Sequence, residues 1–336
     1  MSVPLLATTR NGVVERLERG HCVISDAAGA LHWSTGDPDH VTFLRSAAKP
    51  MQACALVLSG AVERFGLNDA NVALACGSHR GEPGHVRSAL ATLASAGLGP
   101  ESLGCGVHPL LHAEGFRLAA AGQTPTPLHN NCSGKHAGML AATVALGEPV
   151  ETYLAFDHPV QRHILEIVCK CAGVPAGSVQ TGIDGCSAPN FALPMRAIAR
   201  CFARIADLGS LPGEVGQALG RSRAAMTAEP WYVAGTGQFD TVLMQALPGR
   251  CVAKGGAEGL RCAALPSLGL GLAVKFESGR ADGTGAVVLA MLQALGMFPD
   301  GFPEILQPFV QPPVLNHRRI VVGETRLLFA DALAAI

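Results

Sequence analysis

Short runs of β-branched and apolar residues bounded by Gly, Asp or Ser cluster at the two ends of this chain. They fall at residues 21–25, 30–34, 250–254, 270–277 and 319–329, with one more at 72–76. Small and apolar residues recur at spacings of three and four near 46–58, 84–97, 134–146, 158–172, 194–206, 213–226 and 283–296. Strands at both ends with helices between them admit few architectures. The simplest is α/β in content and α+β in arrangement: a single sheet where N- and C-terminal strands meet, with a helical and loop-rich insert between them. The sheet subdomain is expected over about residues 1–45 plus 240–336 and the helical subdomain over about 46–239, both in one unit of 336 residues. The Pro/Thr-rich GQTPTPL at 122–128 and the Pro/Gly punctuation at 207–213 read as loops inside the insert.

Composition narrows the partners. Twenty-five Lys and Arg against 26 Asp and Glu, with no basic stripe, exclude the electrostatic footprint of a nucleic-acid binder and leave a small molecule as the expected partner. Only 15% of residues are charged, against about 25% in typical soluble domains, and 49% are hydrophobic. So little charge implies covered surface, hence a homodimer. MSVPLLATTRNG has no basic leader region, no stretch reaches the length of a membrane span, and the 11 cysteines are odd in number. These features predict a cytoplasmic protein with reduced thiols and no membrane contact.

Several short stretches carry candidate chemistry. In FLRSAAKPMQA, Ser46 and Lys49 share one face if a helix begins near Ser46, and Pro50 then falls in the first turn, where a missing N–H costs little. The same pattern arises by chance, and Ser is a common helix cap. LHNNCSGKHAGMLAA places Asn131, Cys132, Lys135 and His136 at a helix N-terminus, where the dipole favours thiolate and neutral amine. A phosphate loop is excluded there, because His129 occupies the position of the required glycine. Asp184 and Cys186 sit in the turn-rich QTGIDGCSAPNFALP, and VALACGSHRGEPGH reads as a strand leading to Ser78 and His79. Lys254 precedes a Gly-rich turn in CVAKGGAEGLRC. His108 and His112 have the i, i+4 spacing of metal pairs but no nearby third ligand, so they read as structural. GLGLAV lacks the third glycine of a dinucleotide fingerprint.

Seven of these stretches in order, RSAAKP, CGSHRGEP, NNCSGKHAGML, DHPVQ, TGIDGCSAP, VAGTGQFDT and KGGAEG, resemble the bacterial L-asparaginase II family of the rhizobial type over about residues 10–290. The resemblance implies a fold similar to serine β-lactamases and glutaminases. It implies two Ser-Lys pairs, Ser46 with Lys49 and Ser78 with Lys254, and a zinc ion held by Cys132, Lys135 and Cys186. It further implies that Arg45 and Asp184 take the carboxylate and ammonium groups of an amino-acid substrate, with Asn131 and His136 beside them. The expected reaction is hydrolysis of L-asparagine to L-aspartate and ammonia through an acyl-enzyme. Same-fold alternatives are a glutaminase or another amidohydrolase, or a zinc-binding relative without turnover. A β-lactam substrate is disfavoured, since no Ser-Asp-Asn and no Lys-Thr-Gly is found. The turn after Ser78 reads His79-Arg80 where a smaller or more neutral residue is expected, and the C-terminal RRIVVGETRLLFADALAAI does not align with the pattern.

Overall fold

A computed structural model describes residues 1–111 and 115–335. Its main sheet is antiparallel and draws on both ends of the chain: β1 (Val3–Arg10), β2 (Val13–Asp26) and β3 (Leu31–Thr35) from the first, β7 (Val252–Gly255), β8 (Leu260–Leu265), β9 (Leu270–Phe276) and β12 (Thr325–Leu327) from the last. The order is β12-β1-β2-β9-β8-β7, with β3 also on β2. Strand β2 is long enough to serve three neighbours. Its first half pairs with β1, and its second half, from Gly20 to Asp26, runs against β9 while Cys22–Ser25 also pair with β3.

Successive residues of a strand face opposite sides, so the uninterrupted burial of Gly271–Phe276 means that β9 is covered on both. Helices Met195–Ala206 and Thr284–Ala294 pack against it. The first approaches so closely that a Cβ at Gly271 would lie 2.1 Å from the Ala203 nitrogen and 2.2 Å from the Ala199 oxygen, a spacing that admits only glycine.

The insert is built around helix Ser133–Leu146, whose residues Ser133–Thr143 are all buried. Helices Asp69–Ala75 and Pro83–Ser95 lie against it. A second antiparallel sheet of three short strands, in the order β4-β6-β5 (Val41–Phe43, Pro189–Pro194 and Gln180–Ile183), links the insert to the segment before Ser46. A small hairpin, β10 (Val314–Leu315) with β11 (Val321–Gly323), precedes β12.

Three expectations are corrected. The run at 72–76 is not a strand but helix Asp69–Ala75: Val72-Ala-Leu-Ala-Cys is buried all round, so its periodicity is uninformative, and the reciprocal cap between Asn68 and Asn71 decides for helix. The single strand expected over 319–329 is two short ones, Val321–Gly323 and Thr325–Leu327, and the strands Val3–Arg10 and Leu260–Leu265 had no counterpart in the sequence reading. The helix expected over 46–58 is a 3-10 turn, Arg45–Ala48, followed by Lys49–Gln52 and Cys54–Leu58, with Pro50 in the first turn of the former.

Candidate active site

Four chain segments converge where the two sheets meet the insert. Arg45 leads into the 3-10 turn in a left-handed conformation, φ 48°, which few side chains adopt unless held. Here the Asn190 carboxamide oxygen holds it, accepting from the Arg45 N–H at 3.0 Å and the Phe191 N–H at 2.9 Å. Ser187 and Glu258, with φ 69° and 58°, add two more strained positions around the same cleft.

The turn delivers Ser46 to the cleft and Lys49 beneath it. Lys49 is completely buried, and its ammonium group donates to the Gly77 carbonyl at 2.5 Å, the Ser78 hydroxyl at 2.9 Å and the Asn131 carbonyl at 3.3 Å. Ser78 lies just past the C-terminus of helix Asp69–Ala75, its N–H donating to the Val233 carbonyl at 2.7 Å. From β7, Lys254 donates to the same Ser78 hydroxyl at 3.0 Å and to the Gly255 carbonyl at 2.7 Å. One serine hydroxyl therefore bridges two buried lysines. Burial pushes Lys254 down to about 8, with Lys49 adding to the effect and Asp240 opposing it.

Asp240 fixes this strand end: its carboxylate accepts from the Gly255 N–H at 2.7 Å and pairs with Arg261. Neither residue was singled out from the sequence; 21 positions separate them, so only the fold joins them.

Ser46 opens on two chambers that share Ser46, Asn131 and Ala257 in their walls. The larger, of about 320 Å³, contains Ser78, Lys254, Arg80 and Gln238. The smaller, of about 220 Å³, contains Arg45, Asp184, Cys132, Cys186 and His108. There Arg45 and Asp184 pair with each other, Nε to Oδ1 at 2.6 Å. Burial works against the Asp184 carboxylate, but Lys135 and then Arg45 outweigh it and hold its pKa below the usual range.

Beneath this pair Cys132 and Cys186 line the same chamber, and the Lys135 ammonium group donates to the Cys186 sulfur at 3.0 Å. The neighbouring Cys186 thiol holds Cys132 well below its ordinary value, while the Cys132 side chain and burial raise Cys186. Burial opposes the charge on Lys135, and the two sulfurs outweigh it. Among the described residues no group of three or more His, Cys, Asp and Glu side chains is arranged to hold a metal. Two sulfurs and an amine do converge, and all 11 cysteines are free and buried.

His136 stands outside this arrangement. It is completely buried and lines neither chamber, because one step along the helix from Lys135 turns it toward Tyr153, whose hydroxyl lies 2.6 Å from Nδ1. His108 is not on a helix; it sits in an irregular segment of the smaller chamber, where Nε2 accepts from the Asn131 N–H at 2.8 Å. His112 lies outside the described residues. Ser78 follows a helix instead of the expected strand.

The family profile for L-asparaginase II matches residues 6–327. The chain belongs to the L-asparaginase II family. That membership implies a hydrolase acting on amides. Solved structures with which the chain shows similarity include Mglu in its native form in the presence of 4.3 M NaCl, at 17% identity and a TM-score of 0.43, covering 84% of this chain and 61% of Mglu. A second is a β-lactamase from Mycobacterium bovis, at 17% identity and a TM-score of 0.42, covering 82% of this chain and 94% of that one. The chain thus spans less than two thirds of the length of Mglu. No curated protein matches the chain. Within the family fold, no helix among the described residues is long and apolar enough to cross a membrane.

Proposed function

We propose that this family member hydrolyses L-asparagine to L-aspartate and ammonia through an acyl-enzyme on Ser46. The observation that carries the reading is the chain Lys49–Ser78–Lys254 beside Ser46, at the junction of a chamber that holds both a guanidinium and a carboxylate. Arg45 and Asp184, paired in the absence of substrate, exchange that pairing for the carboxylate and ammonium groups of the amino-acid head.

Ser46 attacks the side-chain amide carbon, and its proton passes to Lys49, three residues on. Lys49 must be neutral to accept it. Its own proton leaves through the Ser78 hydroxyl to Lys254, whose pKa of about 8 makes it the group that empties near neutral pH. The same path returns a proton to the departing ammonia. The Ala257 N–H, in the wall shared by the chambers and without a protein partner among the described residues, is assigned to the developing oxyanion. Water then cleaves the ester, with Lys49 as base.

Cys132, Cys186 and the neutral amine of Lys135 would hold zinc, as in the rhizobial type that the motifs resemble. Thiolate and nitrogen donors suit that ion, and a metal replaces the proton on Lys135. With two thiolates the bound site would be charge-neutral and a weak Lewis acid, so zinc would serve to hold these residues and orient the substrate's head group in the smaller chamber.

One observation favours a second reading: the Ser78 hydroxyl touches both lysines, which is the environment of an activated nucleophile. Ammonia release from L-asparagine by the purified protein, by Ser46→Ala and by Ser78→Ala tests both, with mass spectrometry of the trapped ester. An adduct on the peptide containing Ser46, lost only in Ser46→Ala, supports the first reading. An adduct on Ser78 replaces it with the second, and no ammonia from the unaltered protein overturns asparaginase activity altogether.

A further inference from the structure

Arg80 has no part in the chemistry above. It lies in the turn after Ser78 with its guanidinium half-buried in the wall of the larger chamber. Of the three arginines at the cleft, two are neutralised: Arg45 by Asp184 and Arg261 by Asp240. Arg80 pairs with no carboxylate among the described residues. Its side chain bonds to the neutral Gln238 carboxamide oxygen alone, and a guanidinium has five N–H donors to place. Glu82 acts on it through its charge alone, since its carboxylate accepts from the Thr236 N–H at 2.9 Å and the Thr236 hydroxyl at 2.7 Å.

The two chambers flank Ser46, so if the amino-acid head occupies the smaller one, the larger receives what leaves. Ammonia is neutral or cationic and needs neither a chamber of about 320 Å³ nor a guanidinium that forms no ion pair among the described residues. A half-buried cation facing a reaction chamber is a receptor for an anion.

We propose that Arg80 binds a carboxylate on the leaving group, so that the enzyme also cleaves β-aspartyl amino acids, amides in which the aspartate side-chain carbonyl is joined to the amine of a second amino acid. The proposal rests on the amidohydrolase reading and on the head group occupying the Arg45 chamber. The reaction balances without a further reactant: the Ser46 oxygen bonds to the acyl carbon, the C–N bond breaks, and the departing amine takes the proton that Lys49 received from Ser46. Water then releases aspartate and restores the Ser46 hydroxyl. Arg80 acts only on the leaving group, holding it so that its nitrogen faces the proton path.

The test measures kcat/KM on L-asparagine, β-L-aspartyl-L-alanine and β-L-aspartyl-L-alaninamide for the unaltered enzyme, Arg80→Gln and Arg80→Lys. The two dipeptides differ only in the leaving-group carboxylate. The unaltered enzyme is expected to prefer the acid over the amide by roughly tenfold or more, Arg80→Lys to keep part of that preference and Arg80→Gln to lose it. Hydrolysis of asparagine without cleavage of β-aspartyl-alanine, or equal rates on acid and amide, overturns the proposal and leaves the asparaginase reading standing. Preference retained in Arg80→Gln overturns the assignment to Arg80. No turnover of any of the three substrates overturns the reading beneath it. The acid-to-amide ratio of the unaltered enzyme decides even if a variant fails to fold.

Discussion

At the scale of single residues the site is built on two buried lysines joined by one serine hydroxyl. Lys254 is the sharpest case. Its pKa of about 8 against an ordinary 10.5 places its proton loss inside the working range. If neutral Lys254 draws the proton from Lys49, kcat/KM should climb as pH rises through about 8 and then level; a profile flat from pH 6.5 to 9 would remove Lys254 from the path. Stability carries the matching sign. The unfolded chain keeps this proton up to about 10.4 while the folded one releases it near 8, so this residue makes stability rise with pH between those values. Below both, its cost to folding is fully present. Ser46→Ala should lower kcat on the order of 10³-fold or more with an unchanged melting temperature, read from ammonia release and circular dichroism. Asp240→Asn should be different in kind: it leaves Arg261 without its partner and cost about 3–5 kcal/mol of stability, measured by denaturant unfolding. Most of these side chains were legible as residue types. Their pairing was not, because Ser78 meets Lys49 across 29 positions and Lys254 across 176, and no local pattern reports contacts of that span.

At the scale of elements, what places the site is the way helices and strands terminate. Ser46 follows a strained Arg45, Ser78 follows a helix end, and Lys254 stands at the open end of β7. The helices were readable because their apolar residues recur with helical spacing; six of the seven expected long helical runs have observed counterparts within two residues at each end. Strands were less so. Leu260–Leu265 is interrupted by Arg261, whose charge pairs with Asp240, and Val72–Cys76 has the composition of a buried strand but is capped as a helix. Gly271 ties the element scale to packing. Replacing it with Ala should destabilise the protein by at least ~1–3 kcal/mol through the collision with helix Met195–Ala206, seen as a lowered melting temperature. At the helix N-terminus, Cys132→Ser should reduce zinc content measured by atomic absorption; stoichiometric zinc in that variant would remove Cys132 from the donor set.

At the scale of the whole molecule, charge is scarce and apolar side chains reach the surface in groups. Val13, Val14 and Leu17 on the β1–β2 hairpin are 70%, 58% and 46% exposed. On the small sheet, Val41 and Ile183 are 52% and 74% exposed. Light scattering is expected to return twice the 34.6 kDa of one chain; a mass of one chain at micromolar concentration would refute the dimer. The plan of the sheet, ends meeting around an insert, was visible in the sequence because strand-like composition gathers at the two ends, whereas the three-stranded sheet β4-β6-β5 was not, its strands being too short to stand out. The meeting of those ends has a consequence for synthesis on the ribosome. Strand β2 is made before β9, which pairs with it from Gly20 to Asp26 and follows roughly 240 residues later. At about 5–20 residues per second the nascent β2 waits on the order of 12–50 s with its hydrogen-bonding edge unmatched. During that interval the early strands are the part of the chain most in need of a chaperone.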